Sequence, residues 1–177
     1  MARISLIADE DAVEPAVRDA FERMRVKRGK VTNIYRALAH RPSILAATGP
    51  FVAAVQQPDQ LDARLKERVI LRVSILSGSA YCTRADEQSS AKMGCTGGES
   101  GAMREPGGAA GLADDERAAL AYAEEVTLRP GEVSDSVFRE LRRNFSESQV
   151  VELTMLVALY NMVNRFNEAL RLDPEEY

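Results

Sequence analysis

The sequence predicts an all-α protein: one domain over residues 1–177, built as a compact bundle of about seven to nine helices. Three observations point there. Apolar residues recur at helical spacing in every periodic segment, as at Leu65, Val69, Val73 and Leu76. No segment alternates with the period of two that marks a half-buried strand. Helix stops and starts also fall between the periodic segments, at Gly29, Pro42, Pro58, Ser77-Gly78 and Gly94.

Taken in order, Asp11 to Arg28 reads as a helix with Val13, Val17, Phe21 and Met24 inward, closed by Lys27-Arg28-Gly29-Lys30. Val31 to His40 forms a second, short helix that stops near Arg41-Pro42. Ile44 to Gln57 forms a third, broken or kinked at Gly49-Pro50. Leu61 to Leu76 carries the clearest apolar stripe, and Ser77-Gly78-Ser79 interrupts it. Ala80 to Met93 is the next helix, with Ser79 as N-cap and Gly94 as stop. Seven of the eleven glycines lie in 94–111, which reads as a loop. Asp114 to Leu128 and Ser134 to Asn144 are helices, the first with Leu120, Ala123 and Val126 inward. Ser146-Glu147-Ser148-Gln149 is a capping-box pattern ahead of a last long helix, Gln149 to Arg171.

A shift of 85 residues lays Asp62–Glu67 over Glu147–Glu152 and brings Ser79 and Cys82 onto Asn164 and Asn167. Either the domain contains a duplicated helical unit or two amphipathic helices resemble each other by chance; periodicity does not choose. Asn164 and Asn167 read as polar caps of an interhelical contact.

Composition excludes several function classes. With 23 basic and 27 acidic residues the net charge is -4, which leaves no basic footprint for nucleic acid or anionic lipid. The most apolar run, Leu153 to Val163, is too short to span a membrane, and the first residues lack the apolar stretch of a signal peptide, so the expected location is cytoplasmic. One histidine and two separated cysteines make a poor metal-ligand set. No glycine-rich phosphate loop follows a strand, so no cofactor is expected.

Chemistry concentrates in Glu67 to Asp86. With Ser79 opening a helix, Cys82 stands at about its third position, where unpaired backbone N–H groups lower a thiol pKa and favour the thiolate. Asp86, four residues on, opposes that charge. Glu67 comes from the preceding helix, inside an apolar stretch; its alternative reading is a salt bridge. Cys82 has an alternative too, as an inert buried residue. His40, the only histidine, reads either as a helix C-terminal residue favoured by the dipole or as an acid or base supplied from another helix. Cys95 lies thirteen residues past Cys82, too far along a straight helix for a disulfide.

The run Leu65-Lys66-Glu67-Arg68-Val69-Ile70-Leu71-Arg72-Val73-Ser74, followed by Gly78-Ser79-Ala80-Tyr81-Cys82, resembles the motif of the alkylhydroperoxidase D-like branch of the carboxymuconolactone decarboxylase family: Glu, apolar helix, Gly-Cys-Ala-Tyr-Cys, then His. Val31 to Pro42, Val151-Glu152-Leu153 and Tyr160 to Asn167 are similar to other family segments, and the resemblance covers most of residues 4 to 172. It implies a helical bundle that assembles as a homodimer, trimer or hexamer. In redox members the second cysteine is made nucleophilic through the His and Glu, and the first resolves its sulfenic acid. Carried over, the nucleophile is Cys82 and the glutamate is Glu67. Ser79 replaces the resolving cysteine and Asp86 the histidine, so the internal disulfide cycle is lost. The implied function is a thiol-dependent peroxidase-type oxidoreductase with an external thiol reductant. The alternatives are acid/base decarboxylation or lyase chemistry on a small organic acid through Glu67 and Asp86, with Tyr81 or Ser79 as hydrogen-bond donor, and a fold that has lost its chemistry.

Overall fold

The computed structural model describes residues 2–79, 83 and 111–173. Within them the chain is helical and forms no strand: α1 (Pro15–Arg28), α2 (Asn33–Leu38), α3 (Pro42–Gln56), α4 (Ala63–Leu76), α5 (Asp114–Leu128), α6 (Asp135–Asn144) and α7 (Glu147–Leu170), with a 3-10 turn at Pro130–Glu132. The expected helix over Ala80 to Met93 and the glycine-rich 94–110 lie outside the described residues, apart from Thr83. Contacts divide the chain into two compact units: Met1–Ala54 with Asn167–Tyr177, and Val55–Phe166.

In the first unit, α1 begins at Pro15 rather than Asp11. Pro15 is pre-set for the first helical position, and the preceding residues form turns instead. Val13 is therefore not inward but 72% exposed, whereas Val17, Phe21 and Met24 are buried as the spacing requires. Gly29 ends the helix in the left-handed region, φ 76°, with its amide on the Arg25 carbonyl at 2.7 Å. The third helix also departs from expectation. It runs unbroken through Gly49-Pro50, although Pro50 has no N–H for the Ala46 carbonyl. Leu45, five residues before Pro50 on the same helix, is fully buried. Ala12, Val17, Phe21, Val31 and Leu45 share one apolar cluster, against which Tyr35 packs.

Polar contacts close this unit. Asp9 bridges Arg25 at 2.7 Å and Arg36 at 2.6 Å, and the Arg36 guanidinium lies 5.7 Å from the centre of the Phe21 ring. The Arg25 hydrogen bond, helped by Arg36 and opposed by partial burial, holds the Asp9 carboxyl below its ordinary 3.8. Both termini of the unit meet. The Arg3 amide donates to the Leu170 carbonyl at 2.8 Å, and Asn33 Nδ2 donates to the Asp173 carbonyl at 2.8 Å.

The second unit is built on α4. Asp62 caps it, accepting from the Leu65 amide at 3.0 Å. Leu65, Val69 and Val73 are buried as the stripe demands, but so are Lys66, Arg68 and Arg72. Each of these cations has an acid on another helix. Arg68 pairs with Glu116 and Arg72 with Glu124 (2.6 Å) on α5, while Lys66 pairs with Glu152 on α7. Lys66 Nζ also donates to the Val55 and Gln57 carbonyls, at 2.9 and 2.6 Å. Buried charge survives only when paired and hydrogen-bonded, and these three pairs fasten α4 to both neighbours.

α6 docks on α5 through the Tyr122–Phe138 ring contact, 6.2 Å between centres, and Ser134 caps it, accepting from the Val137 amide at 3.3 Å. The capping box ahead of α7 is formed on both sides: the Gln149 amide donates to Ser146 Oγ at 3.3 Å and the Ser146 amide to Gln149 Oε1 at 2.9 Å. That cap starts α7 at Glu147, two residues before the expected Gln149.

Candidate active site

Glu67 sits half-buried on α4, one turn before Leu71 and two turns before Ser74 on the same face. The charges on either side of it, Lys66 and Arg68, are engaged by Glu152 and Glu116.

At the end of α4 the chain makes a Schellman turn. Ser77 is the C-cap after Leu76, and Gly78 adopts φ 67°. The Gly78 amide donates to the Ile75 carbonyl at 3.0 Å and the Ser79 amide to the Ser74 carbonyl at 3.3 Å. Glycine is the favoured residue ahead of Ser79, because a Cβ strains the left-handed backbone there. Ser79 is fully buried, and its carbonyl accepts from the Thr83 amide at 2.9 Å. That i to i+4 bond, with Thr83 helical, fits Ser79 as a residue that opens a helix. Cys82, Tyr81 and Asp86, like Cys95, lie outside the described residues.

Ser74 was not singled out in the sequence, yet it joins three elements. Its carbonyl holds Ser79, and its fully buried hydroxyl accepts from Asn164 Nδ2 of α7 at 3.2 Å. Asn164 is 1% exposed, and its Oδ1 accepts no hydrogen bond from the described residues. The expected capping of an interhelical contact is thus what Asn164 does. The spacing of seven between Glu67 and Ser74 was a signal, but a serine in an apolar helix is too common to be read alone. Asn161 lies one turn earlier on α7, with Nδ2 donating to Thr127 Oγ1 at 3.1 Å.

Asn167 is buried and belongs to the first unit. His40 belongs to that unit too. It is exposed, and its Nε2 lies 2.9 Å from the Ser5 carbonyl, beyond the end of α2. Among the described residues, no three His, Cys, Asp or Glu side chains gather as a metal site, and no helix is long and apolar enough to cross a membrane.

Residues 42–125 match the model of the Carboxymuconolactone decarboxylase family. The Bacillus subtilis (strain 168) protein YdfG is 28% identical over 106 residues, covering 59% of this chain and 72% of that protein. The Escherichia coli (strain K12) protein YnjA is 39% identical over 59 residues, a third of either chain. Among solved structures, an alkylhydroperoxidase AhpD core, a peroxidase-related protein from Ralstonia eutropha JMP134, superposes with a TM-score of 0.86 at 20% identity, covering 99% of this chain and 93% of that one. A cysteine-to-alanine variant of the debrominase Bmp8, in complex with 2,3,4-tribromopyrrole, superposes with a TM-score of 0.84 at 22% identity, covering 99% and 94%. Residues 42–125 thus resemble the carboxymuconolactone decarboxylase family, and the all-helical fold is that of the alkylhydroperoxidase D core.

Proposed function

We propose that the protein is a thiol-dependent oxidoreductase of the peroxidase type, with Cys82 as its lone nucleophile and Glu67 as the proton acceptor. The observation that carries this is the turn at Gly78. It ends α4 and delivers Ser79 to the next helical bond, from the Thr83 amide. Counting along the sequence from Ser79, Cys82 is the third residue, and the first turn of a helix opened at Ser79 is the one whose backbone N–H groups have no helical acceptor. That setting favours a thiolate.

In the proposed cycle Glu67 takes the Cys82 proton. The thiolate attacks one oxygen of the peroxide, and the O–O bond breaks. The leaving alkoxide takes up the proton, and Cys82 becomes a sulfenic acid. Ser79 cannot close a disulfide, so an external thiol attacks the sulfenic sulfur and releases water. A second external thiol then frees Cys82 as the pair of reductant thiols becomes a disulfide. The family supports an enzyme in general. The likeness to peroxidase-related proteins supports peroxide as the substrate class, and the likeness to Bmp8 adds halogenated pyrroles to the compounds worth assaying.

The test is peroxide consumption with dithiothreitol as reductant. The natural chain turns over. Cys82→Ser abolishes turnover, and Glu67→Gln slows it by roughly 10²- to 10⁴-fold, the range of a lost general acid–base group. A Cys82→Ser variant as active as the natural chain overturns the proposal. A natural chain that consumes no peroxide but debrominates bromopyrroles through Cys82 keeps the nucleophile and replaces the substrate.

A further inference from the structure

Two buried asparagines stand about one turn apart on α7, and the fold satisfies them unequally. Asn161 is matched at both ends of its amide. Its Nδ2 donates to Thr127 Oγ1 at 3.1 Å and to the Val157 carbonyl at 3.0 Å, and its Oδ1 accepts from Arg165 at 2.8 Å. Asn164 has a single side-chain hydrogen bond among the described residues, from Nδ2 to Ser74 Oγ, and its buried Oδ1 accepts none there. Burying an amide oxygen without a donor costs stability. A leucine would suit this position, on a helix whose inward face already carries Leu153, Leu156 and Val157. Stability accounts for Asn161 and does not account for Asn164.

The partner of Asn164 accounts for it instead. Ser74 is the residue of α4 whose carbonyl accepts the Ser79 amide, so the side chain that α7 holds and the carbonyl that holds the motif belong to one residue. Ser74, Ser79 and Asn164 are all buried in the second unit, away from bulk water that would compete for these bonds. A hydroxyl inside a helix ordinarily turns to the carbonyl four residues back and bends the helix as it does so. Thr48 bonds Ile44 in this way at 2.8 Å, and Thr154 bonds Val150 at 2.6 Å. The Ser74 hydroxyl meets Asn164 instead.

We propose that Asn164 is a positioning residue for the motif that leaves α4. By holding the Ser74 hydroxyl off its own helix, Asn164 keeps the last turn of α4 straight, and with it the carbonyl that fixes Ser79. This role presupposes Cys82 as the nucleophile, since it reaches the chemistry only by setting where the helix opened at Ser79 begins.

The experiment reads two quantities: the pH midpoint of the Cys82 reaction with a small disulfide reagent, and the thermal midpoint of unfolding. It uses the full chain carrying Cys95→Ser, so that one thiol remains. In that reference chain the thiol midpoint lies below the ordinary value of about 8.5. Asn164→Leu raises it by about half a pH unit, the loss of a moderate helix-terminus effect, and melts no lower than the reference. Ser74→Ala raises it as much, and the two together raise it no further, because both break one link. Asn161→Leu does the reverse. It melts lower, since Thr127 and Arg165 lose their partner, and leaves the thiol midpoint where it was. If Asn164→Leu does not fold, Ser74→Ala, which deletes one oxygen, decides by the same thiol midpoint. A low reference midpoint that a folded Asn164→Leu leaves unmoved overturns the role of Asn164 alone, as does an Asn161→Leu that moves it equally. A reference midpoint at the ordinary value removes Cys82 as the nucleophile, and the role of Asn164 with it.

Discussion

Gly78 does a job no other residue type does as cheaply. At φ 67° it lets the Ser79 amide reach the Ser74 carbonyl, and through that bond the position of the motif follows the end of α4. Gly78→Ala is expected to cost about 1 kcal/mol in urea unfolding, from the left-handed strain of a Cβ, and to lower Cys82 reactivity toward a disulfide reagent. Asp9 gives a pH signature of its own. Its folded pKa is depressed, so its contribution is whole above the unfolded value near 4 and disappears as the pH falls through the lower folded value. Asp9 is partly solvated, so the effect is about 0.5 kcal/mol. Asp9→Asn is expected to lower the urea midpoint at pH 7 and to converge with the natural chain at pH 2. At this scale the sequence exposes Glu67 and Ser79 through their motif. It hides Ser74, because its role depends on a hydroxyl meeting Asn164, ninety positions away.

Elements were legible where period and cap agree. Ser146 and Gln149 spell out their capping box, and α4 shows its stripe. What the stripe conceals is its two flanks. Lys66 on one side and Arg68 and Arg72 on the other look solvated, yet all three are buried, because their acids arrive from α7 and α5. No local pattern announces a partner that far along the chain. Removing one member of such a pair leaves charge without compensation. Lys66→Met is expected to destabilise by about 3–5 kcal/mol in denaturant unfolding, and adding Glu152→Leu should recover a large part of it. Additive losses in the double variant would show that the two side chains act independently. Pro50 misleads for the converse reason. Proline is a strong local stop signal, yet α3 runs on through it to Gln56.

Across the whole molecule, the helical class was plain from period alone, and the division into two units was not. The unit boundaries fall at Ala54–Val55, inside α3, and at Phe166–Asn167, inside α7. A boundary that cuts helices leaves no Pro, Gly or Ser linker to read. It also means that the last described residues complete the first unit rather than trail from the second. Leu172 is 5% exposed there, and Arg3 and Asn33 hydrogen-bond to the backbone beside it. Leu172→Ala is expected to cost about 2–3 kcal/mol, read as a lower thermal midpoint, more than its place near the end of the sequence suggests.

The close of α7 repeats that of α4 with a different residue. The Arg171 amide donates to the Glu168 carbonyl and the Leu172 amide to the Asn167 carbonyl, so Arg171 occupies the place that Gly78 fills in the earlier turn, at φ 51°. One copy of the motif is thus optimised and the other is not. Arg171→Gly offers an engineering route to a more heat-resistant protein, by roughly half a kcal/mol, without touching a helix interior or any residue assigned to chemistry.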